Sequence, residues 1–206
     1  GNDACNVIAE YIAGSIPRFI NRMNERAAEL GMSNSHFLNP HGLHEAGHYS
    51  TARDLAILMC AAMRIEHFAE LIALRQATVG QQTVYNHNKL LYRYDGCIGG
   101  KTGYTEMAGR CLVSCAEREQ LRLVCVTLHD PDDWNDHIAL YDWGFSQYVR
   151  LTISEENTSV EIPLLGGSAP KAVAVPSECV TLLLPRDFEP RREWKLPFYV
   201  FAAVSG

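Results

Sequence analysis

Asp95-Gly96-Cys97-Ile98-Gly99-Gly100-Lys101-Thr102-Gly103-Tyr104-Thr105 is the stretch whose reading decides the fold of this chain. Lys101-Thr102-Gly103 combines a compact ammonium with three N–H donors, a hydroxyl, and a residue with no side chain. Such a triplet can hold an anion while an extended backbone lies close against it, because Gly103 puts nothing in the way. Two apolar runs follow, residues 111–116 and 121–128, with the polar Glu117-Arg118-Glu119-Gln120 between them. That pattern predicts a hairpin, and places the triplet on a strand bordering it. A plain turn with no ligand is the competing reading of three residues taken alone.

Working outward on the N-terminal side, residues 5–12 predict a short helix that Gly14 ends. Ser15 is a good cap for the next one, with Pro17 just inside it. Phe19, Ile20, Met23, Ala27 and Leu30 recur at helical spacing, and Gly31 is a natural stop. Residues 32–50 read as an unstructured loop carrying His36, His41, His44 and His48. It contains no His-Glu-x-x-His, so a metal site is not expected there. Ser50 or Thr51 caps a third helix with Ala52, Leu55, Ala56, Met59, Ala62 and Met63 on one face, and Arg53-Asp54 in its first turn reads as structural. Residues 65–74 predict a fourth helix, 78–84 a single strand, 85–89 a polar connection and 90–92 a small apolar patch. On the C-terminal side, Asp130-Pro131-Asp132-Asp133 starts a helix that runs to about Gln147 and buries Ile138, Leu140, Tyr141, Trp143 and Phe145 to varying degrees. Helices, then strands, then a closing helix indicate an α+β class.

Near residue 150 helical periodicity stops. Short β-prone runs at 151–153, 159–162, 173–175, 180–184 and 196–201 alternate with Gly- and Pro-bearing turns. Two domains are expected, 1–150 and a partial β-rich module at 151–206 that is thin for a core of its own. Hydrophobic residues make up 47% of the 206 and charged residues 20%, enough to bury a core. The net charge of −6 leaves no basic footprint, so nucleic acid is not an expected partner. No apolar run reaches the roughly 18 residues of a membrane span, and no signal-peptide pattern opens the chain. The seven cysteines form no C-x-x-C pair. Cys111 and Cys115 would share a strand face about 13 Å apart, too far to bridge. Most cysteines are read as small buried apolar residues, with one disulfide allowed.

Taken together, several stretches resemble the serine-type D-alanyl-D-alanine carboxypeptidases, the low-molecular-weight penicillin-binding proteins of the S11 peptidase type. They are Phe19-Ile20-Asn21-Arg22-Met23-Asn24, Ala27-Ala28-Glu29-Leu30-Gly31-Met32, Phe37-Leu38-Asn39-Pro40-His41-Gly42-Leu43 and His48-Tyr49-Ser50-Thr51-Ala52-Arg53-Asp54-Leu55-Ala56. Asn86-His87-Asn88-Lys89-Leu90-Leu91, Lys101-Thr102-Gly103-Tyr104-Thr105, Ala108-Gly109-Arg110-Cys111-Leu112-Val113 and Trp143-Gly144-Phe145 complete the set. The resemblance runs in order through residues 1–150 and, more loosely, through the tail. It implies a partial DD-peptidase/β-lactamase-like transpeptidase fold followed by a small β-rich domain. Gly100 stands where the family usually has a bulkier residue, a departure expected to matter little.

The family carries three motifs: Ser-x-x-Lys, a Ser-x-Asn triplet, and Lys-Thr-Gly. The chain opens on Gly1-Asn2-Asp3-Ala4, where relatives commonly read Ser-Gly-Asn-Asp-Ala, and no Ser-x-x-Lys occurs in the 206 residues. The expectation is therefore an N-terminally truncated piece whose nucleophile and base lie upstream, inactive alone; a natural, catalytically dead relative is the other reading. In the complete enzyme the resemblance assigns catalytic roles to Asn2 and Lys101. Substrate binding falls to Thr102, Gly103, Tyr104 and His87, with the Tyr104 N–H in the oxyanion hole and a solvated loop histidine as the plainer reading of His87. No metal or organic cofactor is implied. The implied partners are a peptidoglycan stem peptide ending in D-Ala-D-Ala, β-lactam antibiotics, and the missing N-terminal segment; the implied location is extracytoplasmic. A non-catalytic peptidoglycan-binding module of the same fold is the rival from another class. Within the enzyme class a transpeptidase stays open, while the trailing β-module argues against a β-lactamase.

Overall fold

A computed structural model describes residues 1–152, 159–166, 168–177, 179–189, 195, 197, 198, 200 and 201. The chain divides into two compact units, Gly1–Gly144 and Phe145–Gly206.

The first unit opens with helices α1 (Asn2–Ala13) and α2 (Ile16–Glu29). Gly14, at φ 77°, ends the first by donating its N–H to Glu10. Ser15 accepts from the Arg18 N–H and starts the second. That helix closes as its glycine predicts: Gly31 sits at φ 79°, its N–H bonds the Ala28 carbonyl, and the Met32 N–H reaches Ala27. Helix α3 (Ala52–Ala62) begins at Thr51, whose hydroxyl accepts from the Asp54 N–H, and α4 (Glu66–Ala73) follows.

The stretch between α2 and α3 is the loop its composition predicts, without helix or strand, but its backbone is held by specific hydrogen bonds. Asn24 on α2 exchanges two 2.8 Å hydrogen bonds with the Phe37 backbone. His36 and Tyr49 pair as a β-bridge. Fully buried Asp54 accepts from the Asn34 N–H and the Ser35 hydroxyl. Polar side chains here replace a ladder, which a period-based reading does not detect.

The expected single strand at 78–84 is instead a hairpin, β1 (Gln76–Val79) and β2 (Gln82–Tyr85), reversed at Gly80, which sits at φ 62°. Leu90–Arg93 forms the one-turn helix α5. Then comes the central sheet: β3 (Cys97–Thr105), β4 (Gly109–Arg118) and β5 (Leu121–Leu128), antiparallel in that order. Glu119 and Gln120 both take positive φ, the geometry of a tight two-residue hairpin turn. Alternate residues of β4 serve opposite faces. Cys115 packs with Met59 of α3 and Met63 at its C-terminal end, joined by Phe68, Ala69 and Ile72 of α4. Leu112, Ser114 and Ala116 face the other way and are fully buried.

That second face is covered by α6 (Asp133–Gln147). Its buried stripe is Asp133, His137, Tyr141 and Phe145, whereas Leu140 and Trp143, read from sequence as buried, are 46% and 60% exposed. Half the stripe is polar because β4 offers a partner: the Ser114 hydroxyl lies 2.7 Å from both His137 Nδ1 and the Tyr141 hydroxyl. His137 Nε2 meets the Thr127 hydroxyl at 3.2 Å. Burial pushes His137 down to about 4, so it is neutral at neutral pH.

In the second unit β6 (Tyr148–Thr152) pairs with β9 (Thr181–Pro185), and β7 (Val160–Leu165) lies between β8 (Lys171–Ala174) and the parallel β10 (Val200–Phe201). Of the runs read as β-prone, Ile153, Leu196 and residue 199 lie outside the described residues, as do Gly167 and the terminal Val204-Ser205-Gly206. The seven cysteines are free thiols, and only Cys115 and Cys125 are buried. Cys60 and Cys179 are exposed, which corrects the reading of most cysteines as core. Among the described residues no helix is long and apolar enough to cross a membrane.

Candidate active site

Strand β3 is an edge strand: it pairs with β4 on one side through Lys101↔Val113, Thr102↔Leu112, Gly103↔Cys111 and Tyr104↔Arg110. A cleft of about 640 Å³ is lined by Asn2, His87, Lys101, Thr102, Gly103 and Tyr104, together with His41, Gly42, Leu43, Thr105, Arg110, Cys111, Asp133 and Trp134. All six residues singled out from sequence therefore line one space, although they come from α1, the β2–α5 connection and β3.

Each is held locally. Asn2 is the first residue of α1. His87 is turned outward between two asparagines: the Asn86 amide donates to the Ile72 and Leu74 carbonyls, and Asn86 Oδ1 accepts from the Asn88 N–H. Asn88, itself buried, accepts the Leu90 N–H at the start of α5 through Oδ1. Lys101 is exposed and donates from Nζ to the Thr102 carbonyl. Tyr104 extends into solvent. At the end of the strand the Thr105 hydroxyl accepts from the Ala108 N–H, and His129 Nδ1 lies 3.2 Å from the Ala108 carbonyl, bracing the turn into β4.

Gly100 is not the indifferent departure that the resemblance implies. A Cβ there would lie 2.6 Å from the Val113 carbonyl oxygen, 2.8 Å from Asn88 Nδ2 and 3.0 Å from the Ser114 Cα. Two of those three atoms belong to the neighbouring strand, so the residue before Lys101 has no room to grow.

The sequence reading did not pick out the other walls of the cleft as site residues. His41, Gly42 and Leu43 stand on a loop organised by buried Asn39, whose Oδ1 accepts from the Gly42 N–H at 2.7 Å and whose amide donates to the Leu43 carbonyl. His41 Nδ1 accepts from the Leu43 N–H, which puts the ring proton on Nε2. The Asn-Pro-His-Gly-Leu string was visible, but only as part of a resemblance. Arg110 and Asp133 form an ion pair across β4 and α6, with Trp134 beside it. Asp133 reads in sequence as a helix-start acid and gives no hint of this partner. Among the described residues no group of three His, Cys, Asp or Glu side chains is placed to hold a metal ion.

An antiparallel sheet with helices on both faces, and an edge strand carrying Lys-Thr-Gly above a cleft, define a DD-peptidase fold of the penicillin-binding type. Residues 1–132 match the family model described as D-alanyl-D-alanine carboxypeptidase, and the chain belongs to that family. It is 36% identical over 168 residues to D-alanyl-D-alanine carboxypeptidase DacF of Bacillus subtilis (strain 168), covering 78% of this chain and 43% of the relative. It is 38% identical over 165 residues to D-alanyl-D-alanine carboxypeptidase DacB2 of Mycobacterium tuberculosis, covering 74% of this chain and 56% of the relative. Among solved structures, penicillin-binding protein 5 of Haemophilus influenzae superposes with a TM-score of 0.75 at 28% identity, over 91% of this chain and 56% of that one. The chain thus spans about half the length of the curated relatives it matches.

Proposed function

We propose that this chain is the substrate-gripping part of a serine-type D-Ala-D-Ala carboxypeptidase that trims peptidoglycan stem peptides through an acyl-enzyme. The observation that carries this reading is the single cleft lined by Asn2, His87, Lys101, Thr102, Gly103 and Tyr104. A peptide ending in D-Ala-D-Ala lies along the open edge of β3 as an added strand, close to the backbone because Gly103 has no side chain. The Lys101 ammonium and Thr102 hydroxyl hold its terminal carboxylate, with His87 on the same side. Asn2 bonds the substrate amide and helps fix the nucleophile and base. The Tyr104 N–H and the nucleophile's own N–H stabilise the oxyanion.

No Ser-x-x-Lys lies within the 206 residues, so in this reading both groups come from chain outside them. The serine oxygen attacks the carbonyl between the two D-Ala residues and its proton passes to the lysine. The C–N bond breaks, D-alanine leaves carrying that proton, and water then cleaves the ester to regenerate the serine. The chain alone is inactive. The segment bearing the nucleophile packs on apolar surface the first unit leaves open: Val7, Ile8, Tyr11 and Ile12 of α1 are all about half or more exposed. A second cleft, of about 480 Å³, is lined by Ile12, Phe19, Met23, Met32, Phe37 and Leu58. Because the substrate is cell-wall peptide, the enzyme works outside the cytoplasmic membrane, and β-lactams acylate it.

The test is D-alanine release from a D-Ala-D-Ala peptide by the full-length protein and by a Lys101→Gln variant. Removing an electrostatic clamp on the substrate lowers kcat/KM by about 10²–10³. A variant within threefold of the wild type would remove Lys101 from its role. Peptide binding with no release by the wild type would favour the non-catalytic module.

A further inference from the structure

The loop that forms one wall of the cleft uses a histidine as a hydrogen-bond acceptor. His48, half-buried, receives the Leu38 N–H on Nδ1 at 3.2 Å, so that nitrogen carries no proton and the ring hydrogen is on Nε2. The Phe37 ring packs T-shaped against the imidazole, with 5.7 Å between centroids. Leu38 precedes Asn39, which holds the wall itself. Asn39 Oδ1 accepts from the Gly42 N–H, and its amide donates to the Leu43 carbonyl and, at 3.3 Å, to Glu45 Oε2. Gly42 and Leu43 line the cleft with His41. The His48 N–H closes the turn on the Glu45 carbonyl. One imidazole and one carboxylate thus brace the wall, and neither has a part in the chemistry proposed above.

A proton on His48 undoes this arrangement. Imidazolium has an N–H on both nitrogens and cannot accept, so the Leu38 N–H loses its partner and faces another donor. The new charge also attracts Glu45, drawing its carboxylate off the Asn39 amide. Among the described residues the charges acting on His48 are those of Glu45, His41, His36 and His44. Helix α2 reaches the loop through uncharged Asn24, and α3 through Asp54, whose carboxylate accepts from the Asn34 N–H and the Ser35 hydroxyl. Burial, helped by the three histidines and opposed by Glu45, holds His48 below its ordinary 6.5. The neutral, latched form is therefore the one present at neutral pH, and protonation below 6.5 works against it.

We propose that His48 is an acid-sensitive latch on the cleft wall: protonated, it frees Leu38 and Asn39, and the wall formed by His41, Gly42 and Leu43 loosens its hold on substrate. The effect on turnover rests on the carboxypeptidase reading. The experiment compares the full-length protein with His48→Asn, whose Oδ1 can take the Leu38 N–H at every pH, at about pH 7.5 and about pH 5. Amide hydrogen exchange across residues 36–49 and kcat/KM on a D-Ala-D-Ala peptide are each read as a ratio of the two proteins at one pH. That ratio cancels the pH dependence of exchange chemistry and of the catalytic groups. Near pH 7.5 both ratios are close to one. Near pH 5 the wild type exchanges about fivefold faster and has a kcat/KM about fivefold lower, through KM, the worth of one lost hydrogen bond. Equal exchange near pH 5 overturns the latch; faster exchange with equal kcat/KM overturns its hold on the cleft. In the wild type alone, nitrogen-15 shifts near pH 7.5 place the His48 ring proton on Nε2, and a proton on Nδ1 overturns the latch whether or not the variant folds. Absence of peptide release at both pH values overturns the carboxypeptidase reading and the control of turnover with it, while exchange still judges the latch.

Discussion

Replacing Gly100 by alanine adds one methyl group at the most confined point of the motif strand. The new Cβ would meet the Val113 carbonyl oxygen at 2.6 Å, Asn88 Nδ2 at 2.8 Å and the Ser114 Cα at 3.0 Å. Val113 and Ser114 can retreat only by opening the β3–β4 ladder around Gly100↔Ser114. Asn88 is 1% exposed and its Oδ1 accepts the Leu90 N–H, so it cannot swing away without breaking that bond. Overpacking against neighbours that cannot yield costs about 1–3 kcal/mol, and this site belongs at the upper end. For a chain of this size that lowers Tm by roughly 6–12 °C. Gly103→Ala is the control, since a Cβ there meets only Cys111, at 4.0 Å. Thermal and urea unfolding followed by far-ultraviolet circular dichroism reads both variants. A Gly100→Ala chain within 0.5 kcal/mol of wild type, or less perturbed than Gly103→Ala, would refute the reasoning.

Two other outcomes follow from buried groups. His137 takes its proton at about 4 when folded but at 6.5 when unfolded. Between those values the unfolded state binds more protons, so stability falls as pH drops from 6.5 to 4, by on the order of 3 kcal/mol. A His137→Asn variant should lose that part of the slope in urea titrations run across the window; an unchanged slope would show that His137 is not its source. Burial likewise pushes Cys115 and Cys125 up to about 12. In the native protein a thiol reagent should therefore label Cys60 and Cys179 first and reach Cys115 and Cys125 only on unfolding. Peptide mapping of early labelling on either buried thiol would contradict the packing.

What was legible in the sequence was whatever one element decides by itself. The Ser15 cap, a cap at Ser50 or Thr51 (Thr51 in the structure), the Gly31 stop and the hairpin between 111–116 and 121–128 each depend on neighbours in the chain. The Lys-Thr-Gly strand at the edge of that hairpin belongs to the same class. What could not be read depends on partners far away. The buried stripe of α6 is half polar because Ser114 lies across from it, so Asp133 and His137 are buried while the apolar Leu140 and Trp143 are exposed. The confinement of Gly100 depends on β4 and Asn88, neither of which a local pattern exposes. Arg110 and Asp133 are far apart in sequence and meet only when α6 docks on β4. The loop holding His41 looked irregular because side chains such as Asn24, Asn39 and Asp54, rather than a ladder, hold its backbone.

The central claim is that residues 1–206 supply the grip and other residues supply the nucleophile of a penicillin-sensitive peptidase. Intact mass after incubation with benzylpenicillin tests it most directly, on this chain and on the full-length protein in parallel. The full-length protein should gain the mass of one β-lactam and the 206-residue chain none. A full-length protein that stays unmodified, or a 206-residue chain that becomes acylated, would contradict it.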